Sequence, residues 1–169
     1  GEPVARQLKA AGFDVRVLTR SAEKARARFN EDYEIFTGDV EDPAALETAL
    51  DGCQGVHISL HGLFDPDLER RGAEMVTRAI KNIAAIKNTA TTKPSIERIT
   101  YLSGASVCEE NCWFAGTKAR FQAENILRES GIPFTIFRAH YFMETLPNFI
   151  RGQRALHIGR QPHPYHWVA

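Results

Sequence analysis

Arg20 closes the run Asp14-Val-Arg-Val-Leu-Thr-Arg20, whose alternation of apolar and polar residues is that of a strand, so its guanidinium is delivered at a strand end. A cation so placed can pair with a phosphate, whereas an acid there would accept from free sugar hydroxyls. Lys118 stands four residues after Phe114, on the same face of any helix that holds both, and its ammonium can hydrogen-bond hydroxyls. Ser103 ends one apolar run, and His140-Tyr141-Phe142 follow Arg138 at the end of another. Cys108 and Cys112 lie four apart, but zinc sites need about four ligands and usually tighter Cys-x-x-Cys pairs. The histidines at 157, 163 and 166 also lack ligand spacing, and no metal site is expected.

The elements that must position these groups alternate along the chain. Gly1 opens a helix with Val4, Leu8 and Ala11 on one face, and Gly12 is placed to stop it in the left-handed conformation. After the Asp14–Arg20 strand, Ser21 is an N-cap without a capping box, because Lys24 stands where Glu or Gln would be needed. A strand through Tyr33, Ile35 and Thr37 leads to Gly38-Asp39-Val40, then to a helix with Asp42 as cap and Pro43 as its first residue. Gly55–Leu60 reads as a short strand, Leu68 to about Ile86 as a long helix, and 88–94 as a polar loop. Ile96–Ser103 follows as a strand, Ala115–Ser130 as a helix stopped by Gly131, and Phe134–Arg138 as a last strand. Strands and helices alternating at this spacing predict a doubly wound parallel α/β sheet of the Rossmann type.

In such a sheet the end of the strand after the phosphate-binding helix reads the adenosine ribose, so Arg20 favours NADP(H) over NAD(H) through the 2'-phosphate. Composition agrees with one such domain over residues 1–169. The chain is 43% apolar, and no apolar run approaches the roughly 20 residues of a membrane span. Lysine plus arginine balance aspartate plus glutamate at 21 each, which leaves no net field for nucleic acid or anionic lipid. The expected partner is a small molecule, and the oligomeric state is not legible. Three cysteines form no paired framework, which suits a reducing cytoplasm.

Arg20, Gly38-Asp39-Val40 with Asp42-Pro43, Arg98-Ile-Thr-Tyr-Leu-Ser103, the helix Lys118–Leu127, and Gly131-Ile-Pro-Phe-Thr-Ile-Phe-Arg138 leading into Phe142-Met143-Glu144 together resemble the NmrA-like branch of the atypical short-chain dehydrogenases/reductases. That branch includes NADP(H)-dependent quinone, azo-dye and triphenylmethane-dye reductases, and regulators that bind the dinucleotide without turning it over. The resemblance implies that Gly1 is the last glycine of a phosphate loop whose other glycines, with the first strand, lie upstream. His166-Trp167-Val168-Ala169 resembles the strand before the family's Asp-Ile-Ala segment. The chain is therefore expected to be a piece of a longer protein, truncated at both ends and lacking its first strand.

The same resemblance implies cofactor contacts from Gly1, Arg20, Asp39, Val40, Ser103, Lys118, His140, Tyr141 and Phe142, with Lys118 and Tyr141 as the catalytic candidates. Short-chain dehydrogenases typically use Tyr-x-x-x-Lys, but here the sequence is Phe114-Ala-Gly-Thr-Lys118, and phenylalanine cannot donate a proton. This favours a reductase of conjugated acceptors such as quinones or dyes, or else a dinucleotide-sensing regulator. Each residue also has a structural alternative. Arg20 can be a solvated cation before a helix, Asp39 a turn cap, Lys118 one charge on a helix, Ser103 the end of a strand, and His140 and Tyr141 packing residues.

Overall fold

The computed structural model describes residues 1–62, 64–88, 96–142, 150–151, 154–155 and 167–168, with the backbone alone at 87–88, at 141 and from 150 on. Local signals set the element boundaries. Helix α1 (Glu2–Ala10) starts from Gly1 and ends before Gly12, which sits at φ 90°. Strand β1 (Arg16–Thr19) leads to Ser21, whose hydroxyl accepts from the Lys24 N–H to start α2 (Ala22–Arg26). Strand β2 (Glu34–Thr37) is followed by α3 (Pro43–Leu50), where Asp42 accepts from the N–H groups of Ala44 and Ala45. Gly38 allows that turn. A Cβ on it would lie 2.4 Å from the Ala45 Cβ.

The rest of the chain builds the larger half. Strand β3 (Gly55–Ile58) is two residues shorter than its apolar run, and α4 (Leu68–Asn88) is two longer than its pattern. The polar loop expected at 88–94 lies outside the described residues except for Asn88. Strand β4 (Arg98–Gly104), a 3₁₀ turn (Glu109–Asn111), α5 (Ala115–Glu129) and β5 (Phe134–Ala139) complete it, with Gly131 at φ 74° ending α5. Short pairs follow. β6 (Tyr141–Phe142) runs parallel to β9 (Trp167–Val168), and β7 (Ile150–Arg151) antiparallel to β8 (Arg154–Ala155).

The long strands are all parallel, as the alternation predicts, but they form two sheets. β1 pairs with β2, and β3, β4 and β5 pair in that order. β1 and β3 are not bonded to each other. The core lies on one face of the three-stranded sheet, where Ile58, Ile99 and Tyr101 pack against Ala73, Val76 and Ile80 of α4 and Ala123 and Leu127 of α5. Ile99, Tyr101, Ala123 and Leu127 are wholly buried there. Leu46 and Leu50 of α3 join this cluster and carry it toward the smaller sheet. α1, in contrast, has no buried residue and touches the segment after α2 through the ion pair Glu2–Arg28 and the Arg6 guanidinium 5.8 Å over the Phe29 ring.

Candidate functional site

Two arginines flank β1, and they have opposite fates. Arg16, at its start, bonds Glu34 at 2.7 Å and the carbonyls of Ala49 and Asp51, so its guanidinium is used up in holding β1 to β2 and α3. Arg20, one residue beyond Thr19, is exposed and makes no hydrogen bond or ion pair among the described residues. The Gly38 N–H donates to the Thr19 carbonyl at 2.9 Å, so the C-terminal ends of β1 and β2 are adjacent. This brings Arg20 to the same edge as Asp39 and Val40. The Asp39 carboxylate accepts from the Glu41 N–H at 3.0 Å, which makes it the cap of its own turn. Val40 is half-buried against the core cluster.

The second group converges at the ends of β4 and β5. Register places Ser103 opposite Arg138 and Gly104 opposite Ala139, and the Ala105 N–H donates to the Ala139 carbonyl at 2.8 Å. His140 and Phe142, both exposed, therefore leave β5 beside the exit of β4. The backbone of Tyr141 is in β6, and its side chain lies outside the described residues. Ser103 itself is turned inward. It is buried, and its hydroxyl donates to Glu124 at 2.7 Å.

From β4 the chain turns through Val107 and the 3₁₀ segment, with Asn111 Nδ2 bonded to the Ser106 carbonyl at 2.8 Å, into α5. Phe114 is the N-cap residue and Lys118 lies one turn on, its N–H donating to the Phe114 carbonyl at 2.9 Å. Phe114 is 58% exposed, stands edge-on to Trp113 with ring centroids 6.1 Å apart, and covers Gly116. The exposed Lys118 lines a cleft of about 300 Å³ between the starts of α4 and α5, together with Pro66, Asp67, Arg70, Ala115, Ala119 and Gln122. Cys108 and Cys112 are free half-buried thiols, with Cys112 Sγ 3.4 Å from the Cys108 carbonyl.

Beneath these residues lie two buried carboxylates absent from the sequence reading. Glu69 accepts from the Tyr101 hydroxyl at 2.7 Å and from Nε and Nη2 of the Arg120 guanidinium. Burial, and then the charge of Glu69, pushes the Tyr101 phenol up, so it stays protonated. Glu124, wholly buried, takes bonds from Ser103, Arg128 and Arg138. Burial alone would raise its pKa, but the bonds from Arg138, Ser103 and Arg128 outweigh that and hold it below the usual value. A signal for both was present. Arg120 and Glu124 adjoin the buried apolar stripe Ala119, Ala123, Leu127 of α5, where a charge must be paired if it is to be buried.

Against known proteins, residues 1–157 match the NAD(P)H-binding family. A (4-alkanoyl-5-oxo-2,5-dihydrofuran-3-yl)methyl phosphate reductase of Streptomyces griseus subsp. griseus is 27% identical over 160 residues, covering 95% of this chain and 50% of the relative. The chain thus spans about half the length of that relative. The triphenylmethane reductase of Citrobacter sp., solved with NADP(H), superposes with a TM-score of 0.65 at 18% identity, over 84% of this chain and 46% of that one. A nucleoside-diphosphate-sugar epimerase from Staphylococcus aureus gives 0.67 at 18% identity, over 86% and 50%. These likenesses carry the fold alone, and they agree with the parallel strands and alternating helices described above. The chain belongs to the NAD(P)H-binding family, and its fold is that of the Rossmann dinucleotide-binding domains.

Proposed function

We propose that the full-length protein is an NADPH-dependent reductase of a conjugated small-molecule acceptor, of the NmrA-like branch, working in the cytoplasm. The observation that carries the cofactor half of this reading is Arg20. The chain commits Arg16 to internal bonds and leaves the guanidinium at the other end of the strand exposed, where an NADP 2'-phosphate would lie. Asp39 and Val40 would border the adenosine, the start of α1 at Gly1 the pyrophosphate, and Lys118, Ser103–Gly104, His140, Tyr141 and Phe142 the nicotinamide end. With the Ser103 hydroxyl bonded to Glu124, that strand end offers the cofactor its backbone.

Bound NADPH would supply hydride. The residues of this chain would orient the partners: Lys118 through hydroxyl hydrogen bonds, and the aromatic side chains Trp113 and Phe114 by covering the approach to the ends of β4 and β5. Phe114 holds no proton to give, and this supports an electron-poor conjugated acceptor that takes its proton from water or from Tyr141. The names of two proteins similar to this chain support the same class, one a reductase of an alkanoyl-substituted oxo-dihydrofuran phosphate and the other of triphenylmethane dyes. The three free thiols support a reducing compartment.

NADPH consumption by the full-length protein, with a panel of quinones, dyes and alkanoyl-oxo-dihydrofurans, tests this reading. Turnover that requires both NADPH and acceptor supports it. Tight NADPH binding with no turnover on any acceptor supports instead a dinucleotide-sensing regulator, the second reading, which Phe114 favours as the mark of lost catalysis.

A further inference from the structure

Among the described residues, an ion-pair cluster at the start of α4 centres on Arg71, which is not one of the candidate site residues. Arg71 donates through Nε to Glu41 at 2.6 Å and through Nη2 to the other Glu41 oxygen at 3.3 Å, and the same fork reaches Asp65. Asp67 lies 3.4 Å from Arg71 but belongs chiefly to Arg70, at 2.6 Å, which also holds Glu74. Arg71 therefore joins two segments 24 residues apart in sequence, the turn after β2 that carries Asp39 and Val40, and the loop between β3 and α4. Both follow the C-terminal ends of their strands. Bonds to Glu41 and Asp65 raise the Arg71 pKa, and the bond from Arg71 lowers that of Asp65, so this pair stays charged at physiological pH.

A second observation points to the same contact. The next residue, Gly72, is buried, and a Cβ there would fall 2.2 Å from Leu60 Cδ1 and 3.6 Å from Val40 Cγ2. The first turns of α4 are thus drawn against Val40 on one side and Leu60 on the other, while Arg71 fastens the polar residues just beyond each. An isolated exposed ion pair contributes little to stability, but a planar fork shared by two carboxylates from different loops fixes their relative position.

We infer that Arg71 is a positioning residue that clamps the Asp39–Asp42 turn to the β3–α4 loop through Glu41 and Asp65, and so preforms the adenosine end of the dinucleotide site without touching the ligand. The inference rests on the dinucleotide reading above. Freed of the clamp, the two segments would have to be ordered by the ligand itself, and that cost appears as lost affinity.

The test uses the full-length protein. Calorimetric Kd for NADPH is measured together with native-state hydrogen exchange at the amides of residues 39–42 in the ligand-free protein, for the parent, Arg71→Ala, Arg71→Lys, Glu41→Gln and the double variant Arg71→Ala/Glu41→Gln. Arg71→Ala should weaken NADPH binding by about 5- to 20-fold, the scale of ordering a few side chains and a loop. It should also speed exchange at residues 39–42 while leaving kcat at saturating NADPH near the parent value. Arg71→Lys should be intermediate, because an ammonium cannot serve both carboxylates as a fork. The double variant should be no worse than Arg71→Ala, because both remove one interaction. Unchanged Kd and exchange in Arg71→Ala overturn the clamp, as do additive losses in the double variant. A parent protein that binds no dinucleotide overturns the dinucleotide reading itself, and the exchange data then report the loop contact alone.

Discussion

Charge is handled in opposite ways in the two halves of the molecule. In the β3–β4–β5 half, Glu69 and Glu124 are buried and surrounded by donors from α5, β4 and β5. In the β1–β2 half neither strand has a wholly buried residue, and Arg20 at the exposed end is left without a partner among the described residues. A buried carboxylate must find all its bonds inside the protein, whereas a side chain kept for a ligand must not. If the first half carries rigidity and Arg20 in the second carries the proposed discrimination, substitutions in the two should fail in different ways.

The largest effect is expected in the rigid half. Glu124→Ala strips Arg128, Arg138 and Ser103 of a shared acceptor and leaves a buried gap. It should cost about 3 kcal/mol, the lower end for a broken buried pair, because both arginines reach solvent. Denaturant unfolding of the full-length protein measures this, and a loss below about 1 kcal/mol would place the network among ordinary surface pairs. The ratio of NADP(H) to NAD(H) affinity should not move.

Arg20→Ala should do the reverse. It should weaken NADP(H) by about 1 to 3 kcal/mol, the scale of a charged hydrogen bond, while leaving NAD(H) affinity and the melting temperature nearly unchanged. Equal loss for both dinucleotides by calorimetry would remove Arg20 from the 2'-phosphate and erase the contrast between the halves.

The acid limb of stability sharpens the comparison further. The folded-state pKa of Glu124 lies below its ordinary value of 4.5, so the stability that it contributes is present above about pH 4.5 and is lost as pH falls through the folded value. Glu124→Gln should flatten that limb by up to one proton, or about 1.4 kcal/mol per pH unit. Parallel acid curves for parent and variant would show that other carboxylates control acid unfolding.

The smallest change is expected at Phe114. With no phenol in the parent, Phe114→Tyr should alter reduction of a conjugated acceptor by less than about twofold, because that rate does not depend on a positioned acid. A rise of 10²-fold or more, the scale of general acid catalysis, would mean that the parent reaction was waiting for a proton.

What was legible from sequence follows the range of the forces involved. Ser21 and Asp42 cap their helices as expected, and Gly12 and Gly131 take the left-handed conformation at helix ends, because these preferences act within a few residues. The place of Arg20 just past a strand end was legible for the same reason, since a strand and its end are local features. The reading of Ser103 was ambiguous because a strand places alternate side chains on opposite faces. Only the packing of α5 shows that its hydroxyl points inward to Glu124. Arg71 was not singled out, because nothing within a helical turn of it predicts Glu41, 30 residues away.

By itself, then, the sequence determined the order of strands and helices, their caps and stops, the parallel α/β class, and an arginine just past the C-terminal end of β1. Tertiary structure alone decided which charges are spent inside the protein and which remain exposed and unpaired among the described residues. The pairings of Arg138 with Glu124, Arg71 with Glu41 and Arg120 with Glu69 join residues 14 to 51 positions apart, which approach only once α4 and α5 lie on the sheet, and propensity and periodicity hold no information about partners at that distance.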